Sequence, residues 1–174
     1  MSTEIIAIVV IGLIVLGVAA YFMLAYMKGS IELSLANTRF SHGDTIKGEF
    51  TLHAKKLIEG NDLSVSLVAQ EKIETRDNEG KKRTRTRDIY KDLTKLENCK
   101  EYPSGFNQSY SFEFQMPDSR QGDFAQSILG PAAKLMDNFL GNERKYIEWH
   151  VNVTLDAKGI DLSDTQRIYV NIAA

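Results

Sequence analysis

The chain has 174 residues, a formal net charge of -2 and a single cysteine, Cys99. That length accommodates about one domain of roughly 100–200 residues and one additional segment. A single cysteine excludes an intrachain disulfide framework and a multi-cysteine zinc site, and it fits a reducing compartment. The slightly acidic balance of the whole chain argues against a general nucleic-acid-binding role.

An uncharged N-terminal run, Ile5–Met27, predicts a helix that spans a membrane. Its 23 residues, at about 1.5 Å per residue, cover a hydrocarbon core of roughly 30 Å. A cleavable signal peptide and a buried core helix are less consistent with this run, which lacks a basic n-region and is long for a core helix. Lysine and arginine follow the run and do not precede it. This asymmetry predicts a single-pass cell-membrane protein with its N-terminus outside and its C-terminal domain, residues 30–174, in the cytoplasm.

Beyond Ser30 the pattern changes to an alternation of apolar and polar residues, which is typical of half-buried strands. The strictly alternating segments are 46–52, 63–69, 110–116, 147–155 and 168–172. Ile31–Ala36 and about Lys82–Leu96 are two further predicted strands, and turn-forming residues such as Glu59–Asp62 and Asp77–Gly80 separate them. About seven strands without βαβ alternation predict an all-β, immunoglobulin-like sandwich of two sheets.

The segment 123–140 interrupts the β pattern and predicts a short helical insert. Its apolar residues recur at helical spacing, and Gly130–Pro131 divides it. The apolar residues that could contact a partner through this stripe are Phe124, Ile128, Leu135 and Phe139. Packing of the same stripe on the sandwich is an alternative interpretation, and a helix lying on a membrane is a further one that the single base, Lys134, makes less consistent.

Residues that carry catalysis or bind metals form no recognisable pattern in this chain. His42, His53 and His150 lack metal-ligand spacing, and no nucleophile-elbow or phosphate-binding motif occurs. Cys99 has no histidine close to it in sequence that could act as a base. We therefore expect a protein that is not an enzyme and that has no catalytic residues, metal or cofactor.

Three segments resemble the arrestin-like superfamily. The residues that carry the resemblance are Gly43, Asp44, Ile46 and Gly48 in one strand, Phe112, Phe114 and Pro117 in an aromatic strand, and Ile147, Trp149, Val151, Leu155 and Asp156 in a third. The similarity covers about residues 31–172. Within the superfamily, this chain most resembles the microbial sporulation-control-like members. The resemblance implies an arrestin-like sandwich that binds other proteins, with one lobe where arrestins have two.

A basic cluster interrupts an otherwise balanced chain. Its members are Lys81, Lys82, Arg83, Arg85 and Arg87. On a strand the three arginines share one face, and Glu71 and Glu74 on the preceding strand could pair with some of them. Three interpretations stay open: protection of a sheet edge, contact with anionic lipid head groups, and binding of an acidic or phosphorylated partner segment. Nucleic acid is disfavoured because no aromatic residue interleaves the bases.

Two functions from different classes are consistent with these features. The first is a non-enzymatic, membrane-anchored adaptor or scaffold, which contacts the lipid bilayer through Ile5–Met27 and binds an unidentified protein at the membrane surface. The alternative is an exported, pilin-like assembly subunit whose apolar helix forms the core of a filament. A homo-oligomer is left open in both cases.

Overall fold

The computed structural model describes the backbone of residues 3–76, 81–117 and 143–171, and their side chains except at 3–8, 19–22, 24–25, 76 and 143. One helix and eight strands lie in these ranges. They are α1 (Thr3–Lys28), β1 (Gly29–Leu35), β2 (Arg39–Ser41), β3 (Thr45–Ala54), β4 (Ile58–Arg76), β5 (Lys82–Tyr102), β6 (Asn107–Gln115), β7 (Glu143–Ala157) and β8 (Leu162–Asn171). The predicted insert 123–140, with Phe124, Ile128, Leu135 and Phe139, lies outside the described residues.

The uncharged N-terminal run forms a helix, as predicted. In α1 every apolar side chain that the structure describes is exposed, including Leu16 at 69% and Tyr26 at 71%. Within the described part of the chain, no helix has the length and hydropathy that crossing a bilayer requires. The helix is therefore confirmed, and its predicted passage through a membrane is not.

The strands form two sheets, and the predicted all-β sandwich is confirmed. The smaller sheet has the order β1-β3-β6, and the larger has the order β2-β8-β7-β4-β5. All pairings are antiparallel except that of the short β2 with β8. The predicted alternation places the apolar side chains between the sheets, where they are almost fully buried. These residues include Ile46, Phe50, Leu52, Leu63, Val65, Leu67, Trp149, Val151, Val153 and Leu155.

Several strands, including β4, β5, β7 and β8, extend beyond their predicted limits, and one predicted turn is wrong. Glu59–Asp62 belongs to β4, which passes through this segment with a register irregularity between Gly60 and Asp62. The glycine there permits close packing, because a Cβ on Gly60 would lie 2.7 Å from Cε2 of Tyr102. The strand β5 continues past Leu96 to Tyr102, because β4 pairs with it along its whole length.

Polar side chains join the two sheets at both of their sides. On one side, the amide of Leu33 in β1 donates to Oδ2 of Asp164 in β8 at 2.8 Å. On the other side, the hydroxyls of Tyr102 and Tyr110 donate to Oε2 of Glu97 at 2.9 and 3.0 Å. Because Glu97 lies in β5 and Tyr110 in β6, this carboxylate connects the larger sheet to the smaller one.

Candidate functional site

The predicted basic cluster belongs to a three-stranded extension of the larger sheet. In the described residues β8 pairs with β7 only over Trp149–Leu155, whereas β4 keeps both of its neighbours as far as Thr75. We call residues 71–76, 82–88 and 143–148 the basic ribbon, since they include eight lysines and arginines against five acidic residues. Lys81 directly precedes it. The ribbon places the basic residues of β5 and those of β7 on either side of β4.

A β-bulge decides which face of the ribbon the arginines occupy. Ala69 pairs with Tyr90 and Gln70 pairs with Asp88, so Ile89 is an extra residue in β5. An extra residue shifts the alternation by one position. The three arginines of the cluster therefore lie on the face that carries the hydrophobic core further along the sheet. They share one face, as predicted, but simple alternation from Tyr90 would place them on the opposite one.

One arginine on this face is compensated by a buried carboxylate, and another is not. Glu71, which is 4% exposed, accepts a salt bridge from Nη2 of Arg87 at 3.1 Å. This confirms one of the two predicted carboxylate–arginine pairings. The other carboxylate, Glu74, accepts a hydrogen bond from the hydroxyl of Tyr146 at 3.1 Å. Arg85 is exposed and has no ion pair among the residues that the structure describes, so its charge is available to a partner.

A second buried carboxylate stabilises the opposite face of the sheet at the point where the ribbon begins. Glu148 in β7 contacts Nζ of Lys72 in β4, Nη1 of Arg167 in β8 at 3.0 Å, and Nε2 of His150 at 3.5 Å. Its pKa is lowered, mainly by the hydrogen bond from Lys72 and further by the charge of Arg167, although burial acts in the opposite direction. One ionised side chain therefore holds three neighbouring strands together where the ribbon begins.

Arg144 and Lys145 of β7 are the site residues that sequence reasoning missed. They lie more than 50 positions after the cluster in sequence, and only the pairing of β7 with β4 places them beside Glu74 and Ile73. The sequence feature that could have identified them is the charged segment Glu143–Lys145, which directly precedes the apolar alternation of β7. A long strand with a charged first half is a candidate for extension beyond the core.

The predicted absence of catalytic and metal-binding residues stays a prediction. In the described residues no group of three histidine, cysteine, aspartate or glutamate side chains could hold a metal ion. His150 contacts Glu148 rather than standing free on the surface. Cys99 is exposed and has a positive φ of 46°.

Comparison with known proteins supports the fold. No family model and no curated protein matches the sequence. Among solved structures, the crystal structure of Spo0M, a sporulation control protein from Bacillus subtilis, matches 84% of this chain with a TM-score of 0.56 and 15% sequence identity. The match covers 50% of the Spo0M chain, so this chain spans about half of its length. The sandwich therefore has an arrestin-like fold, as the sequence resemblance implied.

Proposed function

We propose that this protein is a non-enzymatic, membrane-anchored adaptor that binds an acidic segment of another protein through the basic ribbon. The observation that carries the proposal is the position of the ribbon relative to α1. The amides of Lys55 and Lys56 donate to the carbonyl of Lys28, the last residue of α1, at 3.0 and 3.2 Å. Since β4 begins two residues later at Ile58, α1 joins one end of β4 and the ribbon forms the other.

The length of β4 separates the anchor from the ribbon. From Ile58 to Glu71 and Thr75 there are 13 to 17 residue steps, which at about 3.3 Å each correspond to roughly 45–55 Å. Charges in solution are screened over about 8 Å at physiological ionic strength. Where β4 runs away from the membrane, this distance keeps the ribbon out of reach of the head groups around α1, which favours a protein partner for the ribbon.

The anchor itself is supported by the chemistry of α1. The run Ile5–Met27 is uncharged, and the described apolar side chains of α1 are exposed rather than packed on the sandwich. A helix that is apolar on all sides is stable in lipid or inside an assembly of helices. Extraction tests this part: an anchored protein stays with membranes in alkaline carbonate and dissolves in detergent, whereas release by carbonate alone would contradict the anchor.

The proposed orientation places the sandwich in the cytoplasm. Protease treatment of intact spheroplasts that carry a C-terminal tag on this protein measures it directly. We expect the tag to be protected until the membrane is lysed, because lysine and arginine follow the uncharged run Ile5–Met27 and do not precede it. Digestion in intact spheroplasts would reverse the orientation and favour the exported assembly subunit.

Binding of a fluorescent decaglutamate peptide tests the ribbon on the full chain in detergent micelles. The double variant Arg83→Gln and Arg85→Gln removes two exposed bases from one face of the ribbon. We expect at least about fivefold weaker binding, because each lost contact is worth roughly 0.5–1 kcal/mol.

The matched control is Lys47→Gln with Lys91→Gln, which removes the same charge from exposed positions outside the ribbon. An equal loss of affinity in both double variants would mean that the peptide responds to net charge alone, and the ribbon would then not be the binding site.

A further inference from the structure

The end of the sandwich where α1 enters is held in a fixed geometry. Nζ of Lys28 donates to the carbonyls of Lys158 and Ile160 at 3.0 and 2.5 Å. Nζ of Lys55 lies 3.3 Å from the centre of the Tyr26 ring and donates to the carbonyl of Tyr26 at 3.1 Å. Together with the two backbone bonds to the Lys28 carbonyl, these contacts hold the last turn of α1 against the loop between β3 and β4 and the loop between β7 and β8.

The loop between β3 and β4 exposes an apolar side chain next to lysines. Leu57 is 58% exposed, although it directly precedes the fully buried Ile58. Lys56 is exposed and has no ion pair among the described residues. On α1, Tyr26 and Met27 are exposed by 71% and 43%, so the apolar surface of the helix continues up to the loop.

The charges at this end of the domain leave an excess of lysine. Lys158 is paired with Glu59 at 3.1 Å, and Asp161 accepts a hydrogen bond from the amide of Ala157 at 3.1 Å. Lys28 and Lys55 donate to uncharged backbone carbonyls and form no salt bridge among the described residues. With Lys56, four lysines lie at this end of the domain with three carboxylates, Glu59, Asp161 and Glu101, the last being the cross-strand neighbour of Glu59.

We propose that the loop Lys55–Leu57 is a lipid-contact site, in which Leu57 enters the interfacial layer of the membrane that holds α1 and Lys56 binds a lipid phosphate. An exposed leucine flanked by lysines is the side-chain combination that interfacial segments use, since the apolar group is buried while the ammonium stays among the head groups. The inference rests on the proposed anchor. The loop then also holds the sandwich in one orientation to the membrane, so that the ribbon points away from the lipid.

Site-directed spin labelling measures whether the loop lies in the membrane. A label can be attached at one chosen position, because the chain has a single native cysteine, Cys99, which can be replaced. In a Cys99→Ser background, Leu57→Cys and the ribbon control Thr84→Cys each provide a single labelling position. The full chain is reconstituted into phosphatidylcholine vesicles that contain a third of phosphatidylglycerol. We expect the label at 57 to collide more with oxygen than with a water-soluble nickel chelate, and the label at 84 to show the reverse.

Three outcomes would overturn the inference, and they separate it from the anchor. If the protein floats with the vesicles but the labels at 57 and 84 are equally accessible to the nickel chelate, the loop does not contact lipid while the anchor stands. If the protein does not float with the vesicles, both the anchor and the loop contact fail. For the phosphate contact, Lys56→Gln should make the label at 57 more accessible to nickel in the mixed vesicles. An unchanged value there would contradict a role of Lys56.

Discussion

Glu97 is a single side chain that joins the two sheets on the β5–β6 side. Burial and the neighbouring carboxylate both raise the pKa of Tyr102 and of Tyr110, so both phenols stay protonated and act as hydrogen-bond donors at neutral pH. Lys100 forms a salt bridge with the other carboxylate oxygen at 2.5 Å. Glu97 is therefore the hydrogen-bond acceptor for both partly buried tyrosine hydroxyls.

We expect Glu97→Ala to lower the free energy of unfolding by about 2–3 kcal/mol, because two tyrosine hydroxyls lose their acceptor. Urea titration of the full chain in detergent, followed by the fluorescence of Trp149, the only tryptophan, measures this value. Glu113→Ala is the control, since its salt bridge with Lys47 is exposed and should contribute less than about 0.5 kcal/mol. Equal effects of the two substitutions would contradict the proposed role of Glu97.

Glu148 should make the stability of the sandwich sensitive to acid. Its pKa is lowered from the ordinary value of 4.5 by Lys72 and Arg167. A carboxyl with a lowered pKa in the folded state stabilises the protein above its unfolded pKa, and this contribution is lost as the pH falls through the folded pKa. The difference in unfolding free energy between wild type and Glu148→Gln should therefore be largest near pH 7 and shrink towards pH 3. A difference that is constant over this range would show that Glu148 acts without its charge.

At the scale of the elements, alternation predicts strands well where one face meets the core and poorly where it does not. The apolar centres of β4 and β7 were recognised for this reason. The three-residue β2 is too short for a pattern to be visible. The polar end of β4 was not predicted, because it is held by its pairing with β5 and β7 and not by the core, whereas the polar end of β5 lies in the predicted strand Lys82–Leu96. The bulge at Ile89 depends on the same pairing. Sequence therefore identifies the cluster but not the face it occupies.

Gly48 of β3 tests the packing within the smaller sheet. A Cβ at this position would lie 2.5 Å from Cζ of Phe112 and 2.7 Å from Cδ2 of Leu35, so both side chains would have to move. We expect Gly48→Ala to destabilise the fold by about 1–3 kcal/mol, as overpacking commonly does. Ser111→Ala at an exposed position of the adjacent strand is the control and should change the unfolding free energy little. A Gly48→Ala protein as stable as this control would contradict the close packing.

At the scale of the whole molecule, the sandwich has two chemically different ends. The end at α1 carries the loop Lys55–Leu57, and the other end carries the basic ribbon. The two ends could not be recognised from sequence, because the lysines of the loop and the arginines of the ribbon are only about 30 positions apart in the chain. The strand β4, which runs from Ile58 to Arg76, separates them in space, because the loop precedes its first residue and the ribbon contains its last residues.

In the proposed membrane-anchored adaptor, the length of β4 would also set a minimum reach for any partner that is anchored in the same membrane. An extended chain covers at most about 3.3–3.6 Å per residue, so a flexible tail must place its acidic segment roughly 13 to 17 residues or more beyond the point where it leaves the bilayer. Membrane proteins whose acidic residues follow closely after their last membrane helix would be unable to meet the ribbon. Partners could thus be selected by the spacing of their charges along the tail as well as by the charges themselves.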